Sequence, residues 1–299
     1  FAQDEPAKLV LRKIREHFPE NAEGVCYYKH PVLRLDDGVT AELTLLSRIY
    51  DPIAVKCLPF SLSDIEHIGD TTWTVNGEEI ESPLLVLEDF TTILDTRFSK
   101  DRVMRKRVTP KAIIALPLVA QSEFRRKFGD VIKGASALWA GNDFSDAAPP
   151  PLEIPLSDDE WKRSRSIFQG AAPLTKAASG HSVGTATTLG PAIKHLDSEI
   201  ALLDDDQEKV ALQIAPGPQC VRGLAGTGKT VLLAMKAAHI HLHYPDAQLL
   251  FTFHTQSLYN QAKALITRFY RFWSDYDPNW DKIHVRHAGG GKSRPGVYS

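Results

Sequence analysis

The residues whose types and spacing speak most directly of chemistry are Gly223-Leu224-Ala225-Gly226-Thr227-Gly228-Lys229-Thr230, a full G-x-x-x-x-G-K-[ST] pattern. Glycines let consecutive backbone N–H groups turn toward one centre with no Cβ in the way. A helix that starts where such a loop ends adds unsatisfied donors and partial positive charge at the same spot. Lys229 would then reach the β- and γ-phosphates of a nucleoside triphosphate, and the Thr230 hydroxyl would sit on its Mg²⁺. Context agrees with the pattern. Gln219-Cys-Val-Arg222 reads as a buried strand before the loop, and Val231 to Ala238 reads as a helix after it.

Two flanking features narrow the class. Gln207 stands sixteen residues before Gly223, in Leu203-Asp-Asp-Asp-Gln-Glu-Lys-Val-Ala211. A side-chain amide offers one donor and one acceptor, the complement of an adenine edge; the plainer reading is an exposed polar residue opening a helix. At this distance before a phosphate loop it resembles the adenine-reading Gln of superfamily 1 helicases. Downstream, Pro245 to Leu258 reads as a strand opening into a helix and is similar to the motif that follows the loop in UvrD/Rep-like helicases. There a Thr-Phe-Thr-Asn stretch contacts single-stranded DNA; here it is Thr252-Phe253-His254-Thr255. The resemblance covers roughly residues 200–299. It implies ATP and Mg²⁺ as cofactors, Lys229 and Thr230 as catalytic positions, and Phe253 stacking on a base with Thr255 in place of the Asn. Phe253 as an ordinary core residue of a buried strand is the alternative.

Hydrolysis also needs an acidic pair after a hydrophobic strand, and arginines that superfamily 1 enzymes draw from a second motor domain. No run of four apolar residues ending in an acid follows Thr230. Leu84-Leu-Val-Leu-Glu88-Asp89 has that look, but it lies over 130 residues before the loop and reads as core-facing structure with an acidic end. As written, the chain is an incomplete motor, and its start at Phe1 suggests the portion of a longer one.

The N-terminal part carries a second constellation. Ala41-Glu42-Leu-Thr44-Leu-Leu-Ser47 and Ile53-Ala54-Val55-Lys56, followed by Trp73 and Pro110 to Pro117, resemble the nuclease-related domain, a branch of the PD-(D/E)xK nucleases often fused to such helicases. Metal-assisted phosphodiester cleavage needs carboxylates on adjacent strands to hold Mg²⁺ and a Lys to position water. In this family Thr44 takes the place of an Asp and Ala54 that of a Glu. Lys56 remains, but a hydroxyl and a methyl cannot replace two carboxylates, and Glu42 alone is a poor anchor for Mg²⁺. The expectation is a nuclease-like domain without nuclease activity; a rearranged metal site using Glu42 is the alternative.

These positions need elements to hold them. Residues 4–18 carry Leu9, Val10, Ile14 and Phe18 at helical spacing. Val25–Tyr28, Val39–Ser47, Ile53–Leu58, Thr71–Val75 and Lys111–Val119 read as strands, with Asn76-Gly77 a turn, and 83–98 reads as a helix. The predicted organisation is α/β. It has a mixed, nuclease-like domain over 1–140, and a linker over 141–191, Pro-rich at 141–156 and Gly/Ser/Thr-rich at 169–191. The start of a RecA-like P-loop domain with parallel strands follows over 192–299.

Composition bounds the rest. Of 299 residues, 43% are hydrophobic and 24% charged, enough apolar material for a packed core. The longest apolar run, Ala112 to Ala120, is far short of the roughly 20 residues of a spanning helix, so no membrane is expected. Three cysteines without metal-ligand spacing and no secretion segment point to a reduced, cytoplasmic protein. Net charge is −2, so the whole chain is no polycation, yet Arg97 to Lys127 holds ten Lys or Arg against two acids, a solvated face or a track for a phosphate backbone. Among His239, His241 and His243 only the first and last share a helix face, and no third ligand is evident for zinc. Asp204 to Asp206 read as a helix cap. The helicase resemblance implies single-stranded DNA as partner and a role in DNA repair or defence against foreign DNA. The competing expectation is a non-catalytic regulatory module that binds nucleotide or nucleic acid and needs a second protein chain.

Overall fold

A computed structural model describes residues 4–19, 21–30, 41–132, 135–172, 203–214, 217–224, 226–254, 258–274, 276–289 and 296–297. The chain divides into two compact units, Phe1–Arg165 and Ser166–Ser299. Both mix helices with strands, and both contain parallel strand pairs.

The first unit opens with α1 (Glu5–His17), started by Pro6 and by an Asp4 side chain that accepts from the Ala7 N–H at 3.2 Å. Its apolar stripe, Ala7, Val10 and Ile14, is buried. Five strands form one sheet in the order β1 (Gly24–Tyr28), β2 (Leu43–Ser47), β3 (Ile53–Cys57), β7 (Lys111–Leu116), β8 (Ser136–Trp139). β1, β2 and β3 are antiparallel neighbours, whereas β3–β7 and β7–β8 are parallel. The parallel pairs need crossover connections. α2 (Pro83–Ser99) lies in the first and packs on β3 and β7; α3 (Gln121–Phe128) lies in the second. α2 buries Val86, Leu87, Phe90, Leu94 and Phe98, a helical stripe, so the Leu84–Asp89 run is a helix face with Glu88 and Asp89 exposed. The other face of the sheet belongs to α1: Val10 and Ile14 join Leu43, Leu45, Ile53, Val55, Ile113 and Leu138 in one core.

A separate antiparallel sheet, β4 (Ile65–Ile68), β5 (Thr72–Val75) and β6 (Glu78–Glu81), sits between β3 and α2 in sequence. Asn76 (φ 53°) and Gly77 (φ 78°) make its tight turn, the left-handed pair that a two-residue hairpin demands. β6 reads Glu-Glu-Ile-Glu, in which only Ile80 favours a strand, so pairing to β5 decides its conformation.

The Pro-rich stretch 141–156 differs from the expected extended linker. It turns through a short 3-10 segment, Phe144–Asp146, closed by a capping box between Asp143 and Asp146. Phe144 and Ala147 enter the core beside α1, and the Leu152 and Leu156 N–H groups bond to the Ile49 and Arg48 carbonyls at 2.8 Å. Buried apolar side chains and satisfied backbone groups outweigh the composition. α4 (Asp158–Phe168) follows. Of the expected flexible linker, residues 173–191 lie outside the described residues.

The second unit contains α5 (Asp205–Leu212), α6 (Lys229–His243), β9 (Leu249–Phe253), α7 (Leu258–Trp273) and β10 (Ile283–His287). β9 and β10 pair in parallel, as a crossover through α7 requires, and α6 packs against α7. Gln219–Arg222, expected as a buried strand, forms no strand with the described residues, and Cys220 and Arg222 are exposed. Among the described residues this sheet has only two strands, and the segment pairs with neither.

Among the described residues no helix is long and apolar enough to cross a membrane.

Candidate functional site

The site in the second unit begins with α5. Asp204 is its N-cap, and its carboxylate accepts from the Gln207 N–H at 2.8 Å. Gln207 returns the contact: its Oε1 accepts from the Asp204 N–H at 3.2 Å, completing a capping box. Asp204 therefore caps this helix as its residue type suggests. The Gln207 amide also serves the helix start, which the spacing argument alone did not show. A ligand that takes up Oε1 must replace one backbone bond.

Gly226 (φ 84°) and Gly228 (φ 78°) hold left-handed backbone within the loop, conformations in which a Cβ is strained. Gly228 is also the N-cap of α6, where no side chain caps the helix. The N–H groups of the first turn thus open onto the loop rather than onto a capping oxygen. Lys229 folds back over the loop, donating to Gly223 O at 2.9 Å, to Thr227 Oγ1 at 3.3 Å and to Leu224 O. Thr227 Oγ1 in turn donates to Leu224 O at 2.9 Å. Thr230 sits half-buried in the first turn of α6, and Leu224 is exposed. Ala225 lies outside the described residues.

A cleft of about 810 Å³ brings these pieces together. Its walls include Gln207, Gly223, Thr227 and Lys229, with Asp206 and Arg222 beside them. Gln207 and Lys229, 22 positions apart in the chain, therefore line one space, whose size falls within that of small-molecule sites. Lys209 and Arg222 were not singled out as site residues in the sequence, and Asp206 only as part of a helix cap. Charged residues flanking a turn carry no local sign that tertiary packing will aim them at one cleft.

Phe253 ends β9, half-buried, its carbonyl accepting from the Ala288 N–H at 2.9 Å. Its ring lies 6.4 Å from that of Phe251 and 6.3 Å, edge-on, from His287. Thr252 and His254 are exposed on either side, and Thr255 lies outside the described residues. The three histidines of α6 are mainly packing groups. His239 and His241 are buried, the first against Trp273 and the second against Tyr270. His241 Nε2 accepts from the Asn279 N–H at 3.1 Å, and burial lowers its pKa, so the neutral ring suits the role. Among the described residues no group of three or more His, Cys, Asp or Glu side chains could hold a metal ion.

In the first unit the four nuclease-type positions come together on one sheet face. Thr44 and Ala54 are direct partners in the β2–β3 ladder, both buried. Two residues along, Glu42 meets Lys56: Nζ donates to Oε1 at 2.8 Å, and the other carboxylate oxygen accepts from the Cys57 N–H at 2.8 Å. Both oxygens of Glu42 are thereby engaged within the chain. The basic stretch is divided in use. Arg97 is buried; Arg107 binds Glu160 at 2.9 Å and the Pro155 carbonyl at 3.1 Å; Lys127 reaches the Leu62 carbonyl at 3.0 Å. Arg102, Arg105, Lys106, Arg125 and Arg126 are exposed. Cys26 and Cys57 are core thiols, raised by burial, that of Cys26 to about 12, whereas Cys220 is exposed.

No protein-family model matches this chain, and no curated protein or solved structure matches it either.

Proposed function

We propose that the second unit is the ATP-binding part of a superfamily 1 DNA helicase or translocase, with the first unit as a nuclease-like accessory domain. The observation that carries this reading is the single cleft shared by Gln207 and the 223–229 loop. A loop of phosphate-binding type and a side-chain amide lining one cleft suit a nucleotide, with its phosphates on the loop and its base toward the amide. ATP would place its triphosphate on the glycine turn and the open first turn of α6, with Lys229 on the β- and γ-phosphates. Thr230 would hold Mg²⁺, which supplies charge neutralisation at the transferring phosphoryl group. Single-stranded DNA is the proposed polymer, with Phe253 as a stacking platform.

Equilibrium binding tests the assignment. The protein is expected to bind MgATP in preference to MgGTP, because an amide that pairs bidentately with a base discriminates by about 1–3 kcal/mol. Gln207→Ala should abolish that preference while Asp204 still caps the helix. An unchanged ATP-to-GTP ratio in Gln207→Ala would remove Gln207 from the site.

The first unit is proposed to be no nuclease. Thr44 and Ala54 offer no carboxylate, and Glu42 is engaged by Lys56 and the Cys57 N–H. Incubation with DNA and Mg²⁺ or Mn²⁺ is expected to give no cleavage above background. Metal-dependent cleavage that disappears in Lys56→Ala would establish the rearranged site instead.

A second reading is a regulatory module that binds nucleotide or nucleic acid and needs a partner chain. The unpaired Gln219–Arg222 segment favours it, since a phosphate loop is ordinarily carried by a strand held in a sheet. Steady ATP binding without turnover in the presence of single-stranded DNA would select this reading over the motor.

A further inference from the structure

The helix that carries Gln207 is two turns long, and an isolated helix of that length is marginal in water. Its orientation must come from what grips it. Two side chains outside the motifs do so, one at each end.

At the N-terminal end stands Gln169, fully buried. Its Oε1 accepts from the Leu203 N–H at 3.1 Å and its Nε2 donates to the Leu203 carbonyl at 3.2 Å, a pairing of the kind one strand residue makes with another. Nε2 also lies 2.9 Å from Glu208 Oε2, so the same amide holds both the residue before the cap and the residue after Gln207. Gln169 is itself held in place. Gly170 (φ +74°) passes beneath the Trp273 indole, where a Cβ would stand 2.8 Å from Nε1. Only glycine fits there.

At the C-terminal end Lys236 reaches across from α6. Its Nζ donates to the Val210 carbonyl at 3.0 Å, to the Gln213 carbonyl at 2.7 Å and to Gln219 Oε1. The first two are carbonyls at the end of α5, where a cation also complements the helix dipole. The third belongs to the segment leading into the phosphate loop. Lys236 lies two turns beyond Lys229 on the same helix, so one rigid element carries both the phosphate-binding lysine and the strut to the base-reading helix. Burial lowers the ammonium pKa, and its acceptors offset part of that cost.

We infer that Gln169 and Lys236 are positioning residues that fix Gln207 relative to the phosphate loop and thereby set the base selectivity of the cleft. The inference rests on the nucleotide-binding reading given above. A base-reading amide must be held within about 0.5 Å to discriminate, whereas phosphate capture by loop N–H groups and Lys229 does not involve α5.

The test compares dissociation constants for MgATP, MgGTP and magnesium tripolyphosphate, using the whole chain. The variants are Gln169→Met, Lys236→Met, Lys236→Arg and Gln219→Ala, with thermal melting run alongside. Gln169→Met and Lys236→Met are expected to bring an ATP preference of about tenfold close to unity. Tripolyphosphate affinity should change less than about twofold, since its contacts lie on the loop. Lys236→Arg should restore most of the preference. Gln219 is exposed, so Gln219→Ala keeps the fold even if the buried variants do not, and it should lower the preference about twofold through loss of one contact. Variants that weaken all three ligands equally, or that leave the ATP-to-GTP ratio intact, overturn the inference and leave Gln169 and Lys236 as general structural contacts. Failure of the unmodified chain to bind either nucleotide would instead remove the reading beneath it.

Discussion

On the proposed helicase reading, Lys229→Ala is expected to abolish DNA-stimulated ATP hydrolysis. The ammonium is the only side-chain cation of the loop pattern, and on that reading its place at the first turn of α6 would set it at the β- and γ-phosphates. A hydrogen bond to a charged partner contributes about 1.5–3 kcal/mol, so nucleotide affinity should fall by roughly 10- to 100-fold. Turnover should fall further, because charge on the transferring group is stabilised most in the transition state. Folding should be nearly untouched. Apart from the loop's own Gly223, Leu224 and Thr227, Lys229 has no hydrogen-bond partner among the described residues, and surface changes of that kind stay within about 0.5 kcal/mol. Phosphate release with single-stranded DNA, measured beside a melting curve, separates the two effects. Unchanged turnover in a folded variant would sink the assignment of the loop.

Phe90→Ala is expected to destabilise the first unit strongly. Phe90 is 1% exposed in the middle of the α2 stripe, between Val86 and Leu94, on a helix that packs against the two central strands β3 and β7. Truncating a buried Phe removes its transfer free energy and leaves a cavity that close-packed neighbours fill only in part, costing about 3–5 kcal/mol. That is a large fraction of the roughly 5–15 kcal/mol that holds a domain folded. For a unit of this size the melting temperature should drop by roughly 6–20 °C. Urea unfolding of the unmodified chain and the variant would show it as a lower midpoint with an unchanged slope. A loss below about 1 kcal/mol would mean that α2 does not seal this sheet face.

Local signals were legible where the chemistry is local. α1 announced itself over residues 4–18 by an early Pro and an apolar stripe, and it forms over Glu5–His17. The Asn76-Gly77 pair turned a hairpin because few other residue pairs accept left-handed backbone twice in succession. β3 and β7 were visible as short β-branched and apolar runs. By contrast β6, with three glutamates in four residues, is a strand only because β5 offers it hydrogen bonds. The reverse happened at Gln219–Arg222, where strand-like residues pair with no strand among the described residues. Proline content made 141–156 look like a tether, but Phe144 found the core beside α1.

The candidate sites divide along the same line. By itself, the order of residues determined that a glycine turn with Lys229 and Thr230 opens a helix, and that the Asp204 to Asp206 run caps the helix carrying Gln207. Each of these depends on neighbours a few positions away, through backbone geometry and side-chain reach. Only the tertiary structure decided that Gln207 and Lys229 face one cleft, that Glu42 is held by Lys56 and the Cys57 N–H, and that Gln169 and Lys236 grip α5 from either end. Those contacts join positions from 14 to 39 residues apart. A buried amide or ammonium takes whichever acceptors packing places within hydrogen-bond reach, and no spacing along the chain encodes that choice.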